Sequence, residues 1–207
     1  MSTLRRFVLV LFTFLRILPG EGFLSSIRQS AKADLLQLIK SGADDAAILS
    51  SVRKCEALSP LSTRLSGAIS DPLLSDNWLM VYTTSSSIAG KTRPAYLQTR
   101  TPPEQLIDVE NGRALNAETV LGITNAVEIS LAPKTRSKAA VQFERFKIGP
   151  FAFAAPKGLS GELDTTYLDS EMRISRGDLG NIFVLLREST EREAADATWA
   201  GWRESWS

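Results

Sequence analysis

The stretch Tyr167-Leu-Asp-Ser-Glu-Met-Arg-Ile-Ser-Arg-Gly-Asp-Leu-Gly-Asn-Ile-Phe-Val-Leu-Leu-Arg187 decides the fold prediction. Its apolar residues fall on alternate positions, at Met172 and Ile174 and again at Ile182, Val184 and Leu186. A period of two is the pattern of a half-buried strand. The segment Gly177–Asn181 supplies glycines that can adopt the positive φ of a tight reversal. The residues therefore predict a β-hairpin.

Composition restricts the function classes. The 207 residues include 24 Lys and Arg and 23 Asp and Glu, for a formal net charge of +1. This balance argues against a nucleic-acid partner, which would require a basic excess on one face. The absence of His removes His-dependent triads, a His general base and most zinc sites, and no metal site is predicted. No cofactor is predicted either. The single Cys55 excludes an intrachain disulfide; it is predicted to be buried on a helix, with a thiol activated by Arg53 and Lys54 as the alternative.

Two short helices are predicted before the strands. Lys32–Lys40 carries apolar residues at helical spacing and is followed by Gly42, a typical helix end. Ala46–Leu58 repeats the spacing, and Asp44 or Asp45 can cap it. This pattern predicts a helix hairpin whose apolar stripe must cover another part of the fold.

Short strands at regular spacing follow the helices. The dipeptide Asn111-Gly112 is the strongest two-residue turn signal and predicts a hairpin around it. Strands are predicted at Asn77–Thr84, Leu106–Val109, Arg113–Leu115, Thr124–Leu131 and Ala140–Ile148, in addition to the hairpin quoted above. Loops are predicted at Leu61–Ser75 and Gly149–Pro156. Seven or eight such strands indicate a sandwich or a barrel, and periodicity alone does not decide between them.

The predicted loop Gly149–Pro156 carries Phe151 and Phe153 among small residues. One interpretation is that these rings plug the core. The other is an apolar lip at the mouth of a barrel, which would suit a ligand or a lipid surface.

Several motifs resemble the PAP/fibrillin family of plastid lipid-associated proteins. The C-terminal signature of that family is matched by Tyr167-x-Asp169, Arg173-Ile, Arg176-Gly-Asp178 and Phe183-Val. Its first strand, with a Gly-x-Trp and a Tyr-Thr pair, is matched by Trp78 and Tyr82-Thr83, and the helix pair is also similar. Lipocalins, whose barrels bind small apolar ligands, share this Gly-x-Trp motif. Here Asp76 stands in place of the Gly, which weakens the analogy with lipocalins but still allows Trp78 to plug a barrel end.

The resemblance implies an α+β fold that is mainly β: a lipocalin-like antiparallel barrel with an N-terminal helix pair packed against it. It implies a non-enzymatic plastid protein that binds lipids, prenylquinones or carotenoids and associates with plastoglobules or thylakoid membranes, with the stroma as a further location. The alternatives are an accessory subunit or enzyme that handles a prenyl or lipid substrate, and a structural coat without an internal ligand. The candidate ligand-binding residues are Trp78, Tyr82, Phe151, Phe153, Tyr167, Asp169 and Arg173. Ion pairing and turn capping are the alternative role for the polar residues of the hairpin.

The two ends of the chain differ from the domain predicted at 28–189. The first 20 residues contain three Arg and no acid, and the apolar run 7–15 is too short to span a membrane. A basic start before a short apolar run is typical of a cleaved leader, predicted over 1–27, with a buried helix as the alternative. A Ser- and base-rich stretch follows that run, an order that resembles the bipartite leaders of algae with secondary plastids. The tail at 190–207 places Trp199, Trp202 and Trp206 on one helical face, which suits a membrane interface or a protein partner; a disordered or loosely docked tail is the alternative.

Overall fold

The computed structural model describes residues 21–60, 67–86 and 101–188, together with Thr63, Ile88, Pro94, Leu97 and Thr99. Most of the predicted leader and the three Trp residues of the tail lie outside the described residues. The chain divides into two compact units, Met1–Leu58 and Ser59–Ser207.

The first unit contains the predicted helix pair, α1 (Glu21–Ser41) and α2 (Asp45–Ala57). The side chain of Asp44 caps α2 by accepting from the Ala47 N–H at 2.9 Å. Cys55 is buried, as predicted, and its sulfur lies 3.4 Å from the carbonyl oxygen of Ala31. The prediction that α1 starts at Lys32 is wrong. The helix begins at Glu21, since residues 21–31 contain no proline and only one glycine, Gly22. Phe23 is 61% exposed, so this part of the helix lacks the buried apolar stripe on which the sequence prediction rests.

The second unit is a closed antiparallel barrel. The nine strands are β1 (Asn77–Thr83), β2 (Glu104–Asp108), β3 (Arg113–Val120), β4 (Ile123–Pro133), β5 (Lys138–Ile148), β6 (Phe151–Ala154), β7 (Ser160–Leu168), β8 (Met172–Gly177) and β9 (Ile182–Arg187). Eight of them run in the order β4-β3-β2-β1-β9-β8-β7-β5, and a β4–β5 pairing closes the ring. The short β6 pairs with β5 beside the ring. The predicted mainly-β barrel with an N-terminal helix pair is confirmed.

Three local predictions are corrected by the structure. The segment Gly149–Pro156 is not simply a loop, because Phe151–Ala154 forms β6 after a turn at Gly149, whose φ is +55°. The stretch predicted to be irregular before β1 contains two 3₁₀ turns, Ala68–Ser70 and Pro72–Leu74. Most of β7 was not predicted, since Gly161 and Asp164 are residue types depleted in strands and interrupt the apolar alternation.

The strand register separates an inner from an outer face of the barrel. Directly opposed residues of neighbouring strands point to the same face. The pairs Met80–Leu185, Arg173–Leu185 and Leu168–Arg173 place these four side chains inside, and Leu168 and Leu185 belong to the main core cluster. The register places Tyr82 and Tyr167 with the outward-facing Val184 and Ile174.

The barrel is closed at one end. Ala68, Ile69 and Leu74 of the two 3₁₀ turns pack with Trp78 in the main core cluster. We call these four residues the barrel floor. The indole N–H of Trp78, a residue that is 0% exposed, donates to the Leu74 carbonyl at 3.0 Å, so the predicted plug role of Trp78 agrees with the structure.

The opposite end of the interior is more open. Its inward-facing side chains are half-buried rather than buried, namely Met80, Val127, Phe143, Phe146 and Phe183. The barrel unit is therefore filled at the floor and accessible toward the turns that end β3, β5 and β8.

Candidate functional site

Two arginines, Arg173 and Arg187, lie against Trp78 at the barrel floor. The guanidinium carbons of Arg173 and Arg187 lie 5.2 Å and 4.7 Å from the ring centroid of Trp78, within the range of cation–π attraction. Arg187 forms an ion pair with Asp76 and donates to the Leu73 carbonyl. The departure from Gly-x-Trp at Asp76 therefore has a structural role, because this carboxylate neutralises Arg187 beside Trp78.

Arg173 is in a different electrostatic situation. It is only 1% exposed, and its Nη2 donates to the Oε1 of Gln105. Its Nε and Nη1 are buried and find no acceptor among the described residues. Burial lowers the pKa of Arg173 to about 9, so the side chain is still a cation at neutral pH. The floor thus contains a buried positive charge, and no carboxylate of the described chain forms an ion pair with it.

A row of inward-facing residues connects Arg173 with the open end. Gln105, which accepts from Arg173, donates to the Oδ1 of Asn116 at 2.6 Å. The strand register then places side by side Gln105, Asn116, Val127, Phe146 and Phe153 on β2 to β6. We call these five residues the inner row. The row is polar near the floor and aromatic at its other end.

Aromatic rings line the open end. The Phe143 and Phe146 rings are stacked with centroids 6.5 Å apart, and the Phe146 and Phe153 rings are stacked at 5.9 Å. We call these three residues the aromatic mouth. Phe153 is 49% exposed, so the apolar lining of the barrel continues to the protein surface.

Two hairpin turns carry the apolar surface further outward. The β3–β4 and β5–β6 turns lie side by side, since the Gly149 N–H donates to the Thr124 carbonyl at 3.0 Å. Their large exposed side chains are Leu121, Ile123, Ile148, Phe151 and Phe153, and we call this set the apolar tip. Phe151 is 72% exposed. Residues 119–125 and 146–156 contain a single charged residue, Lys147, and its Nζ lies 2.5 Å from Glu128.

The remaining candidates lie outside the interior. The hydroxyl of the buried Tyr167 donates to the Oδ2 of Asp169 at 2.6 Å. The other oxygen of Asp169 accepts from the backbone N–H groups of Glu171 and Met172 at 2.9 and 2.8 Å, which caps the β7–β8 turn. Tyr82 lies on the outer face of β1.

The structure therefore divides the seven sequence candidates among three places. Trp78 and Arg173 meet at the floor, and Phe151 and Phe153 lie at the open end. Tyr167 and Asp169 belong to the β7–β8 turn region and Tyr82 to the outer face, all outside the interior. Their binding of a ligand stays a prediction.

Sequence reasoning missed four residues of the interior: Gln105, Asn116, Phe143 and Phe146. The two polar residues alternate with apolar neighbours, so they look like ordinary solvent-facing strand positions. Only the register shows that they point inward beside Arg173.

Other features of the described chain offer no competing chemical site. A groove of about 490 Å³ lies over β4, β5 and β7, but none of the seven candidates lines it, and Lys134 and Glu162 on its wall neutralise each other. Within the described ranges, no three His, Cys, Asp or Glu side chains are grouped so that they could hold a metal ion. In the same part of the chain, no helix combines the length and the apolar character needed to cross a bilayer.

Comparisons with known proteins agree with the fold and the motifs. The family model PAP_fibrillin matches residues 32–186. A curated Arabidopsis thaliana protein, "Probable plastid-lipid-associated protein 5, chloroplastic", is 33% identical over 170 residues, which cover 77% of this chain and 70% of the relative. No solved structure matches the chain. The family match covers the second half of α1, all of α2 and the barrel strands up to residue 186, and the chain belongs to the PAP/fibrillin family.

Proposed function

We propose that this chain is a non-catalytic plastid protein that docks on the surface of plastoglobules or thylakoid membranes and holds a small apolar molecule in its barrel. The observation that carries the proposal is the continuous apolar surface from the aromatic mouth to the apolar tip. The name of the Arabidopsis relative, which describes a chloroplastic protein associated with plastid lipid, supports the location and the lipid surface.

The exposure pattern favours a lipid surface as the partner of the apolar tip. Contiguous apolar surface in water is unfavourable by roughly 25 cal/mol per Å², and monomeric proteins rarely keep large patches of it without a function. The exposed side chains of the tip lie in or directly beside two neighbouring turns, and exposures of 49% for Phe153 and 72% for Phe151 leave both rings available to a lipid surface. The near absence of charge means that few groups would have to lose their hydration when the tip enters the lipid headgroup region.

The interior supports the second half of the proposal. An eight-stranded barrel is just wide enough to be filled by side chains or to hold one small ligand. Here the side chains fill the floor, while the inward residues toward the mouth remain half-buried. A lipid, prenylquinone or carotenoid that enters from a membrane could therefore bury apolar surface against Val127, Phe143 and Phe146.

Vesicle binding tests the docking surface. The variant Phe151→Asp should lower the partition of the protein onto galactolipid vesicles at least about tenfold, because burial of one Phe side chain is worth about 1.5–3 kcal/mol. Flotation of vesicles in a density gradient measures the bound fraction. Leu73→Asp makes the same charge change on an exposed residue at the floor end, and it should bind like the wild type. Equal binding of wild type and Phe151→Asp would contradict docking through the tip.

Extraction of the purified protein with organic solvent tests the internal ligand. A stoichiometric lipid, prenylquinone or carotenoid in the extract would support the carrier function. An empty extract, together with no shift in melting temperature when these compounds are added, would favour a structural coat.

A further inference from the structure

We infer that the barrel selects an amphiphile with an anionic head group, which Arg173 binds at the floor while the apolar chain lies along the inner row toward the aromatic mouth. This inference rests on the proposed internal ligand and names its chemical class. It concerns a free carboxylate or phosphate-bearing lipid rather than a neutral prenylquinone or carotenoid.

The electrostatic state of Arg173 favours an anionic ligand. Buried charges in proteins are almost always paired and hydrogen-bonded, because an isolated ion loses its hydration. Arg187 follows this rule through Asp76, although its Nε also meets no acceptor in the described chain. Among the described residues, Arg173 donates to the neutral Gln105, and its guanidinium lies against the ring of Trp78. Two buried donors, Nε and Nη1, meet no acceptor in the described chain. An anionic oxygen would satisfy the charge and the donors together.

The geometry of a guanidinium matches that of an oxyanion. A carboxylate offers two oxygens and about four acceptor positions, so it can accept from donors on two different nitrogens. The planar guanidinium presents its N–H groups in a fixed fork that matches carboxylate and phosphate groups. The neutral oxygen of an alcohol can satisfy only part of this requirement.

Polarity decreases along the inner row from Arg173 toward the mouth. Next to Arg173 lie the amides of Gln105 and Asn116, which are half-buried and can bind a polar head group. Beyond them the row continues with Val127, Phe146 and Phe153. Four strand-to-strand steps separate the two ends of the row, roughly 19 Å along the wall at about 4.8 Å per step. This sequence of polar and apolar contacts matches an acyl chain that enters with its head group first.

Calorimetric titration with three ligands of equal chain length tests the inference. Hexadecanoic acid should bind wild-type protein about 10- to 100-fold more tightly than hexadecanol or methyl hexadecanoate, because hydrogen bonds to a charged group are the stronger ones. Arg173→Met, which keeps a long apolar side chain over Trp78, should lose this preference and retain the affinity for the alcohol. Arg145→Met removes an exposed arginine of the outer face and should keep the preference.

The outcomes separate this inference from the proposed function. Circular dichroism and the melting temperature of Arg173→Met establish that the variant is folded. Equal binding of acid and alcohol by the wild type, or an unchanged preference in Arg173→Met, would overturn the role of Arg173 and leave an apolar carrier standing. Failure of all three ligands and of a neutral prenylquinone to bind would remove the internal ligand itself.

Discussion

At the scale of single residues, the energetics of Arg173 show why its burial is unusual. The cation–π contact with Trp78 contributes about 0.5–2 kcal/mol, and the hydrogen bond to Gln105 contributes about 1.5–3 kcal/mol. The desolvation of a buried ion costs several kcal/mol. These terms nearly cancel at best, so the fold gains little from keeping a charge at this position. Binding of an anionic ligand would explain why a charged residue occupies this buried position.

Asp169 is the residue whose substitution should affect stability most directly. Asp169→Ala removes the acceptor of two backbone N–H groups and of the buried Tyr167 hydroxyl, so we expect a loss of about 2–4 kcal/mol in the free energy of unfolding. Urea unfolding followed by far-UV circular dichroism measures it. Tyr167→Phe, which removes only one of the three contacts, should lose about 1 kcal/mol.

The result for Asp169→Ala also tests its role as a ligand contact. The sequence resemblance predicts that this substitution weakens the binding of an apolar ligand more than it weakens the fold. A variant that unfolds at the wild-type urea concentration but no longer binds ligand would support the ligand contact and contradict the turn-capping account.

The sequence predicts those parts of the site that depend on neighbouring residues, and it does not predict those that depend on strand register. The family resemblance implies that Trp78 plugs the barrel end. For Phe151 and Phe153 the sequence leaves a core plug and an apolar lip open, and their exposure of 72% and 49% shows that they lie at the surface. The inward position of Gln105 depends on its register against Asn116 and Trp78, and register is set by long-range pairing that a period-two pattern cannot specify. The floor cluster could therefore be recognised only in the structure.

At the scale of elements, the same distinction separates predicted from missed strands. The hairpin β8–β9 and the hairpin β2–β3 contain regular alternation and local turn signals, and both were predicted. β7 lacks these signals, and it is held by pairing with β5 and β8 on either side. The β6 strand is only four residues long and contains two alanines, so its sequence favours a loop, and it is the pairing with β5 that makes it a strand.

The turn that leads into the floor provides a test of element packing. Gly67 has a φ of +91°, and a Cβ there would lie 2.7 Å from the backbone oxygen of Arg136 in the β4–β5 turn. Gly67→Ala should lower the free energy of unfolding by about 2–4 kcal/mol, since backbone strain and a steric clash add. Differential scanning calorimetry measures the change. The matched control is Gly122→Ala, where φ is +77° but no atom lies within 4 Å of the added Cβ. Equal effects of the two substitutions would show that the close approach to Arg136 contributes nothing.

At the scale of the whole molecule, polarity is arranged along the barrel unit. The buried cation lies at the floor, the half-buried amides follow, and the stacked rings and the apolar tip lie at the open end. A protein that docks through its tip would thus present the open end of its barrel to the lipid phase. The exchange of an amphiphile between membrane and barrel would then need no passage through water.

The docking model predicts which part of the chain carries lipid binding. Deletion of 190–207 removes Trp199, Trp202 and Trp206 but leaves the apolar tip, so vesicle binding should fall by less than threefold, compared with at least about tenfold for Phe151→Asp. The tail at 190–207 carries four acidic and two basic residues, and this net negative charge disfavours its binding to an anionic surface. Combining the deletion with Phe151→Asp distinguishes the two contributions in one flotation series. Loss of binding on deletion of the tail, with normal binding by Phe151→Asp, would assign the lipid contact to the Trp residues instead of the barrel.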